Sequence, residues 1–326
     1  MGELYETLRE WNACACLHGQ CGAIRDAIRK QAEPLCVEIR VLPGGTMICR
    51  VAGKGNPLMV WADMGNAGFY VAGFDEKGFA RAAEVGVNLI DYENTPLRTP
   101  DGMYAVLRAE EVYGDKTDNK TKFFLDFGEN GDLPPLGTPL VYDVAPVRLC
   151  GSKVRMPFAG SHVPCAALLA LMGAARAWGR EMYFVFADGA EGAGQAAYAL
   201  KPACVLTLMA VEAKDACAKP EDRNVLRIGS GAALKLRDHK APCLSRTLPH
   251  AAEKAALQAG TVLQHDFSPK GDAGYKAIQF QHCGIPTIAL AVPVRYIDTP
   301  ACVFDLEDVK ALIAVAAAFC SGKEGD

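Results

Sequence analysis

Carboxylates, imidazoles and thiols that could do chemistry fall in a few short stretches of the chain. Pro293-Val294-Arg295-Tyr296-Ile297-Asp298-Thr299-Pro300 follows the apolar run Ile285 to Val292. A Pro-flanked loop leaving a buried strand lies at the carboxyl edge of a sheet, where open α/β folds gather ligands, so Asp298 is a site candidate. The apolar run Pro57 to Ala62 ends in Asp63-Met64-Gly65-Asn66-Ala67-Gly68 and makes Asp63 a second one. Cys14, Cys16, His18 and Cys21 set soft donors close together, but their C-x-C-x-H-x2-C spacing matches no common structural-zinc pattern. They read either as a thiophilic metal site or as a Cys-rich turn between two helices. Nucleophilic schemes are weaker. Ser161-His162 and His282-Cys283 are sequence neighbours, which does not make them face each other, and Gly229-Ser230-Gly231 reads as a turn.

The elements that must position these residues are legible in the periodicity. Helical spacing covers Leu4 to Trp11 and Gly22 to Gln31, with Ile24 and Ile28 on one face. Strand-like runs follow at Cys36 to Leu42, Met47 to Val51 and Leu58 to Ala62, the first two joined by a Gly44-Gly45 turn. Pro57 to Ala62 is apolar on both faces, as in a strand covered by helices on either side. From Phe69 to about Cys150, short alternating runs (GFYVAGFDEKGFA, MYAVLRAEEV, KFFLDFGENGD, TPLVYDVAPVRL) with frequent turn residues point to a small β-barrel. Beyond it, helices at Val163 to Trp178, Gly192 to Leu200, Leu248 to Ala259, Gly274 to Gln281 and Asp305 to Phe319 alternate with strands. Those strands are Glu181 to Ala187, Ala203 to Met209, Thr261 to His265 and Ile285 to Val292. The expected fold is α/β: a mainly parallel sheet sandwiched by helices and formed by residues 1–68 and 151–326, interrupted by an inserted β-barrel over 69–150.

Length and composition agree. The 326 residues are 50% hydrophobic, enough for a large core, and the net charge of -4 has no basic stripe. Nucleic acid and anionic membrane are therefore not expected partners. No leader-like segment and no apolar span near the roughly 20 residues of a membrane helix is visible, and the expectation is a cytoplasmic protein. The 13 cysteines are odd in number and scattered, including Cys165, Cys204, Cys283 and Cys302 within apolar segments. That usage suits reduced, buried thiols rather than a disulfide framework.

In this order the features resemble the glutamyl aminopeptidase, or tetrahedral (TET) aminopeptidase, family of two-metal metallopeptidases. The resemblance runs through His18-Gly19, Ile24 to Ile28, Gly68 to Val71, Phe124 to Gly128, Cys165 to Leu169, Gly271-Asp272-Ala273, Gly284 to Thr287 and Pro293 to Ile297. It implies a peptidase domain zinc-aminopeptidase-like in fold, with an inserted barrel used for oligomerisation. A homo-oligomer, from dimer up to dodecamer, is the implied assembly.

The departures fall on the residues that carry the family's chemistry. Asp63 stands where the resemblance puts a metal-binding His, and Gly65 two residues on where it puts an Asp. Gly160 replaces the bridging Asp, and the Glu-Glu pair of general base and ligand aligns with Phe186-Ala187 or Ala187-Asp188. Met209 replaces another Asp, and Asp298 the last His. Two divalent ions about 4 Å apart need a bridging carboxylate to offset their repulsion. Glycine has none, Met offers only a thioether, and Phe186 or Ala187 cannot take a proton from water. His162, Asp272, Arg295 and Tyr296 complete the implied cleft.

The expectation is therefore a non-catalytic homologue without cofactor, binding a peptide, small molecule or partner in the vestigial cleft. The alternative is a metallo-aminopeptidase using zinc, cobalt or manganese through relocated ligands around Asp63, His162, Asp188 and Asp298. A single hard ion such as magnesium or calcium could also use these acids with Glu191 nearby, and equally the acids could be solvated or pair with Arg295.

Overall fold

The computed structural model describes residues 2–14, 16–76, 78–86, 94–109, 123–128, 133–219, 225–239 and 241–322. The parts of the expected barrel strands at 110–122 and 129–132 lie outside them. Two helices open the chain, α1 (Gly2–Asn12) and α2 (Gly22–Ala32), and each buries one face: Leu8 and Trp11 in the first, Ile24, Ile28 and Ala32 in the second. A hairpin of β1 (Glu38–Val41) and β2 (Met47–Val51) turns at Gly45, which adopts a positive φ of 90°. β1 is shorter than the run Cys36 to Leu42 suggested and largely exposed, because it has a strand on one side only.

The centre of the large sheet is parallel. β12 (Arg180–Ala187) lies beside β3 (Lys54–Asp63), followed by β13 (Cys204–Glu212) and β16 (Thr287–Arg295), all running the same way. β13 and β16 are buried almost throughout, and β3 and β12 over their carboxyl-terminal halves, which is why these stretches show no alternation. Both flanks are antiparallel. The β1–β2 hairpin joins β12, and β17 (Cys302–Asp305), β11 (Lys153–Met156) and β10 (Val147–Arg148) extend the sheet beyond β16. A short pair, β14 (Ala233–Lys235) and β15 (Gln264–Asp266), branches off β16. The expected strand Thr261 to His265 is thus shifted and shortened to β15.

Pro293 lies inside β16 rather than at the head of a loop. β16 pairs with β14 up to Ala291 and with β17 from Val294, so one of its neighbours changes at this residue. A missing N–H is tolerated where a ladder is interrupted. The loop proper begins at Tyr296, and Tyr296 (φ 56°) and Asp298 (φ 65°) both take left-handed backbone.

α3 (Ala159–Ala175), α5 (Leu248–Gln258) and α7 (Leu306–Ser321) share with α1 and α2 the largest apolar core on one face of the sheet. α4 (Gly189–Leu200) and the short α6 (Tyr275–Gln279) pack over the other. α3 starts four residues before the expected Val163, with Phe158 in left-handed backbone as its N-cap (φ 61°), and Pro164 sits within it. Pro164 is the sixth residue of α3, past the N–H groups that lack an intrahelical partner, and costs the helix one bond, to the Gly160 carbonyl. α4 likewise starts earlier than Gly192, directly after Asp188.

The inserted segment closes as a six-stranded barrel in the order β4 (Gly68–Phe74), β5 (Ala80–Val85), β8 (Phe123–Asp126), β7 (Tyr104–Ala109), β6 (Thr95–Arg98) and β9 (Pro139–Tyr142). Its interior holds Phe69, Val71, Leu97, Leu107, Leu125 and Leu140. β10, inside the segment expected for the insertion, already pairs in the large sheet.

Among the described residues no helix is long and apolar enough to cross a membrane. All cysteines are free, and Cys16, Cys21, Cys165 and Cys302 are buried. Cys283 departs from the expectation of buried thiols: it lies exposed in the turn after α6, beside His282 whose ring stacks on Tyr198.

Candidate functional site

The parallel strands β3, β13 and β16 deliver their carboxyl ends to one edge of the sheet, and a cavity of about 240 Å³ opens there. Asp63, Gly160, Met209, Asp272 and Asp298 all line it, with His18 from the loop between α1 and α2. Trp61, Tyr142 and Phe158 form aromatic wall, and Tyr142 comes from the barrel. No lysine or arginine stands among the described residues that line the cavity.

His18 is the centre of the polar arrangement. Its Nδ1 lies 3.3 Å from Asp188 Oδ1, and its Nε2 lies 3.7 Å from Asp63 Oδ2. The hydrogen bond to Asp188 raises the pKa of His18, burial opposes this, and Asp63 adds to the rise. At Asp188 burial pushes the pKa up, but the bonds from His18 and Gly19 outweigh it and the carboxyl stays below its usual range. Asp63 moves the other way: burial raises it, against the pull of His18 and of two backbone N–H groups. Those donors are Gly65 N at 2.9 Å and Gly189 N at 3.0 Å, both on Oδ1. Gly19 N reaches both oxygens of Asp188, at 3.0 and 2.9 Å. Asp188 occupies the N-cap position of α4 without capping it, because its carboxylate is turned to the His18 loop.

His18 turns its ring nitrogens to these two carboxylates. Cys16 and Cys21 are packed into the core instead, and among the described residues no group of three His, Cys, Asp or Glu side chains could hold a metal ion. Cys14, Cys16, His18 and Cys21 all lie in the segment between α1 and α2.

Asp298 sits across the cavity. Water reaches its carboxylate, yet protein encloses it closely enough that burial, reinforced by Glu212, lifts its pKa to about 6. Its backbone carbonyl accepts from Tyr142 Oη at 3.2 Å, which ties the left-handed loop to the barrel. A Cβ placed on Gly160 would meet Asp298 Oδ1 at 3.5 Å and Ile297 at 3.7 Å, ordinary contacts, so the absence of a side chain at 160 is not imposed by packing. Met209 is buried at the cavity wall beside Gly271, and Asp272 turns its carboxylate to Gly274 N at 2.9 Å.

Other candidates fall outside the cavity. Arg295 binds Asp215 through two 2.7 Å bonds and does not serve Asp63 or Asp298. Tyr296 is half exposed. Phe186 is buried in the core, and Ala187 is the last residue of β12. Glu191 is exposed on the first turn of α4, facing a separate groove.

His162 lies beneath the cavity wall, fully buried and tilted against Phe158. Ser161 donates to Asn66 Oδ1, and Asn66 Nδ2 donates to Cys16 O and faces His162 Nε2 at 3.4 Å. Nε2 is thus the acceptor and Nδ1 carries the proton, without a partner. Ser161 therefore has no base facing it, as a serine nucleophile would need.

Burial lowers the His162 pKa to about 3. The unfolded chain takes up this proton near pH 6.5 and the folded chain only near 3. Stability from this group is therefore whole above 6.5 and falls by about 1.4 kcal/mol per pH unit below it. Asp308, raised to about 6 by burial, acts in the opposite sense between pH 6 and 4. Comparison with His162→Gln isolates the histidine: urea unfolding midpoints of the variant should fall less steeply between pH 6.5 and 4. Parallel slopes would refute the assignment.

Sequence reasoning found Asp63, Asp298 and Asp188 but not the part of His18, which it grouped with the nearby thiols. The signal available was the adjoining Gly19, whose free N–H suits a carboxylate.

Comparison with known proteins supplies the frame for this geometry. Residues 45–315 match the M42 glutamyl aminopeptidase family. A protein of Acetivibrio thermocellus described as "Putative aminopeptidase" is 26% identical over 318 residues, covering 94% of this chain and 95% of its own length. Among solved structures, an aminopeptidase from the archaeon Desulfurococcus kamchatkensis superposes with a TM-score of 0.91 at 19% identity, covering 99% of this chain and 95% of that one. The TET1 peptidase of Pyrococcus horikoshii, which can assemble into a tetrahedron or a large octahedral shell, gives 0.81 at 18% identity, with 97% and 99% covered. At such identities these structures establish the fold alone.

Proposed function

The chain belongs to the M42 glutamyl aminopeptidase family, and from that premise we propose that it keeps the family's scaffold and cleft as a ligand-binding site without two-metal hydrolysis. One observation carries the reading. Where the resemblance puts a bridging carboxylate, a base and a further ligand, this chain has Gly160, Phe186 or Ala187, and Met209, and Gly160 and Met209 line the same cavity. The donors present do not fit a cocatalytic pair. A missing general base alone is worth about 10²–10⁴-fold in rate, and Gly160 supplies no carboxylate to hold two cations together.

The cavity favours a ligand with a positive group. Asp63, Asp272 and Asp298 face it, and aromatic surface from Trp61, Tyr142 and Phe158 suits an ammonium or an apolar side chain beside it. A peptide or small molecule with a free amino group matches that chemistry.

A second reading, a metallo-aminopeptidase working through relocated ligands around Asp63, His162, Asp188 and Asp298, has in its support the likeness to the protein described as "Putative aminopeptidase". The inserted barrel supports self-assembly in either case. Its outward side exposes Phe74, Tyr104 and Val106, apolar surface that a second copy would cover.

One set of measurements on the purified protein separates these readings. Metal content should be substoichiometric, and release of p-nitroaniline from amino-acid anilides should stay at the buffer rate with or without added zinc, cobalt or manganese. Stoichiometric metal with metal-restored turnover would establish the second reading and remove the first. Light scattering of the same sample at micromolar concentration should give a multiple of 34.8 kDa, and a monomer would refute the assembly.

A further inference from the structure

We propose that Tyr142 of the inserted barrel is a positioning residue of the cleft: its hydroxyl holds the loop that carries Asp298, and its ring holds the segment that leads into Gly160. The consequence for affinity rests on the cleft being a ligand site; the mechanical tie does not.

Two segments of the α/β domain reach the cavity through backbone that a side-chain-bearing residue rarely takes. Tyr296 and Asp298 stand at φ 56° and 65° in the loop after β16, and Phe158 stands at 61° just before α3. Among the described residues these are three of six non-glycine residues with left-handed backbone, so half of that strain is gathered here. Such residues persist only where the surrounding structure fixes them. Tyr142 touches both segments. Its Oη donates to Asp298 O at 3.2 Å, and its ring stacks on Phe158 with centroids 5.6 Å apart and planes 19° from parallel. Phe69 of β4 meets the same ring edge-on at 6.2 Å, which anchors it in the barrel. Tyr142 is 1% exposed, so these contacts are shielded from competing water.

The bonds inside the loop do not do this work. Thr299 N and Oγ1 close on Tyr296 O at 3.2 and 2.7 Å, which shapes the turn without fixing where it stands. The Tyr142 bond spans 156 residues and ties the turn to another domain. Ile297, Asp298 and Gly160 all line the cavity, so a shift of either segment changes its walls. The barrel core extends under the cavity in the same way: Phe158 packs into it, and so does Leu17, the neighbour of His18.

The test reads the tie with and without a ligand. Full-length wild type, Tyr142→Phe, Tyr142→Leu and Leu107→Ala are compared by amide hydrogen exchange and by calorimetric titration with leucine amide, a small molecule with a free amino group. Leu107 lies in the barrel interior outside the cavity lining and serves as the control for general loosening of the barrel. Tyr142→Phe, which keeps the ring, should speed exchange at the Thr299 and Ala301 amides about tenfold and leave the barrel strands as in wild type. Tyr142→Leu, which also loses the stack, should extend the rise to Ser161 and His162 at the start of α3. Leucine amide should bind Tyr142→Phe at least about threefold more weakly than wild type, and Leu107→Ala as tightly as wild type. Circular dichroism checks folding, and Tyr142→Phe carries the test if Tyr142→Leu does not fold. Unchanged exchange at Thr299 in Tyr142→Phe, an equal rise there in Leu107→Ala, or equal affinity of Tyr142→Phe and wild type would each overturn the proposal. If wild type does not take up leucine amide, that counts against the ligand-binding reading, and the exchange rates decide on Tyr142 by themselves.

Discussion

Trp61→Ala should cost about 3–5 kcal/mol of stability, the range for truncating a large buried aromatic side chain. Trp61 is 2% exposed and lies in β3 at the floor of the cavity. Its Nε1 donates to Thr207 Oγ1 at 2.8 Å, and Thr207 in turn donates to Ala273 O at 2.9 Å, so the ring joins β3, β13 and the segment leading to α6. Truncation removes the packing and leaves the Thr207 hydroxyl short of a donor. Trp61→Phe keeps most of the apolar surface and loses the hydrogen bond, so it should cost about 1–3 kcal/mol. Packing also runs the other way: a Cβ on Gly274 would lie 2.7 Å from Trp61 Cζ2. Gly274→Ala should therefore be destabilising in wild type and less so beside Trp61→Ala, though the positive φ of 71° at Gly274 keeps some of the strain. Urea unfolding of the three single variants and the double variant measures all of this, and a Trp61→Ala loss under about 1 kcal/mol would show that the wall re-forms without the ring.

Lys235→Met should be comparably damaging. Lys235 is fully buried in β14 and its Nζ contacts Asp266 Oδ2 at 2.6 Å and Ser268 O at 3.0 Å. Removing the cation leaves a carboxylate with 6% side-chain exposure uncompensated, which costs about 3–5 kcal/mol. Replacing both partners removes the stranded charge, so Lys235→Met with Asp266→Asn should be more stable than Lys235→Met alone. The reverse order would mean that the pair contributes nothing. Because Tyr275 Oη also donates to the Lys235 carbonyl, this residue ties β14 to α6, and the segment between them carries Gly271 and Asp272 of the cavity wall. Faster amide exchange over 268–272 in the single variant is the accompanying sign.

Much of the fold was legible because burial on both faces leaves a mark that needs no partner to be read. Leu58 to Ala62 is apolar without alternation, and only a strand covered by helices on either side tolerates that. The barrel announced itself by alternation and turn residues. Boundaries were less legible. α3 starts ahead of Pro164, at the cost of one helix bond, because its residues from Ala159 on are buried in the core, and β16 runs through Pro293 because its neighbour changes there.

For the site, absence of chemistry could be read locally and presence could not. A glycine at 160 carries no carboxylate and a methionine at 209 donates no oxygen, whatever surrounds them. Those facts are properties of single residues, and the sequence by itself determined them along with the scaffold. Partnership is a property of topology. His18 meets Asp188 across 170 residues, and Arg295 meets Asp215 across 80, because parallel strands bring distant loops to one edge of the sheet. No local spacing records which carboxylate an imidazole will face, nor that His162 will be sealed from water. Only the tertiary structure decided that Asp63 and Asp188 share a histidine.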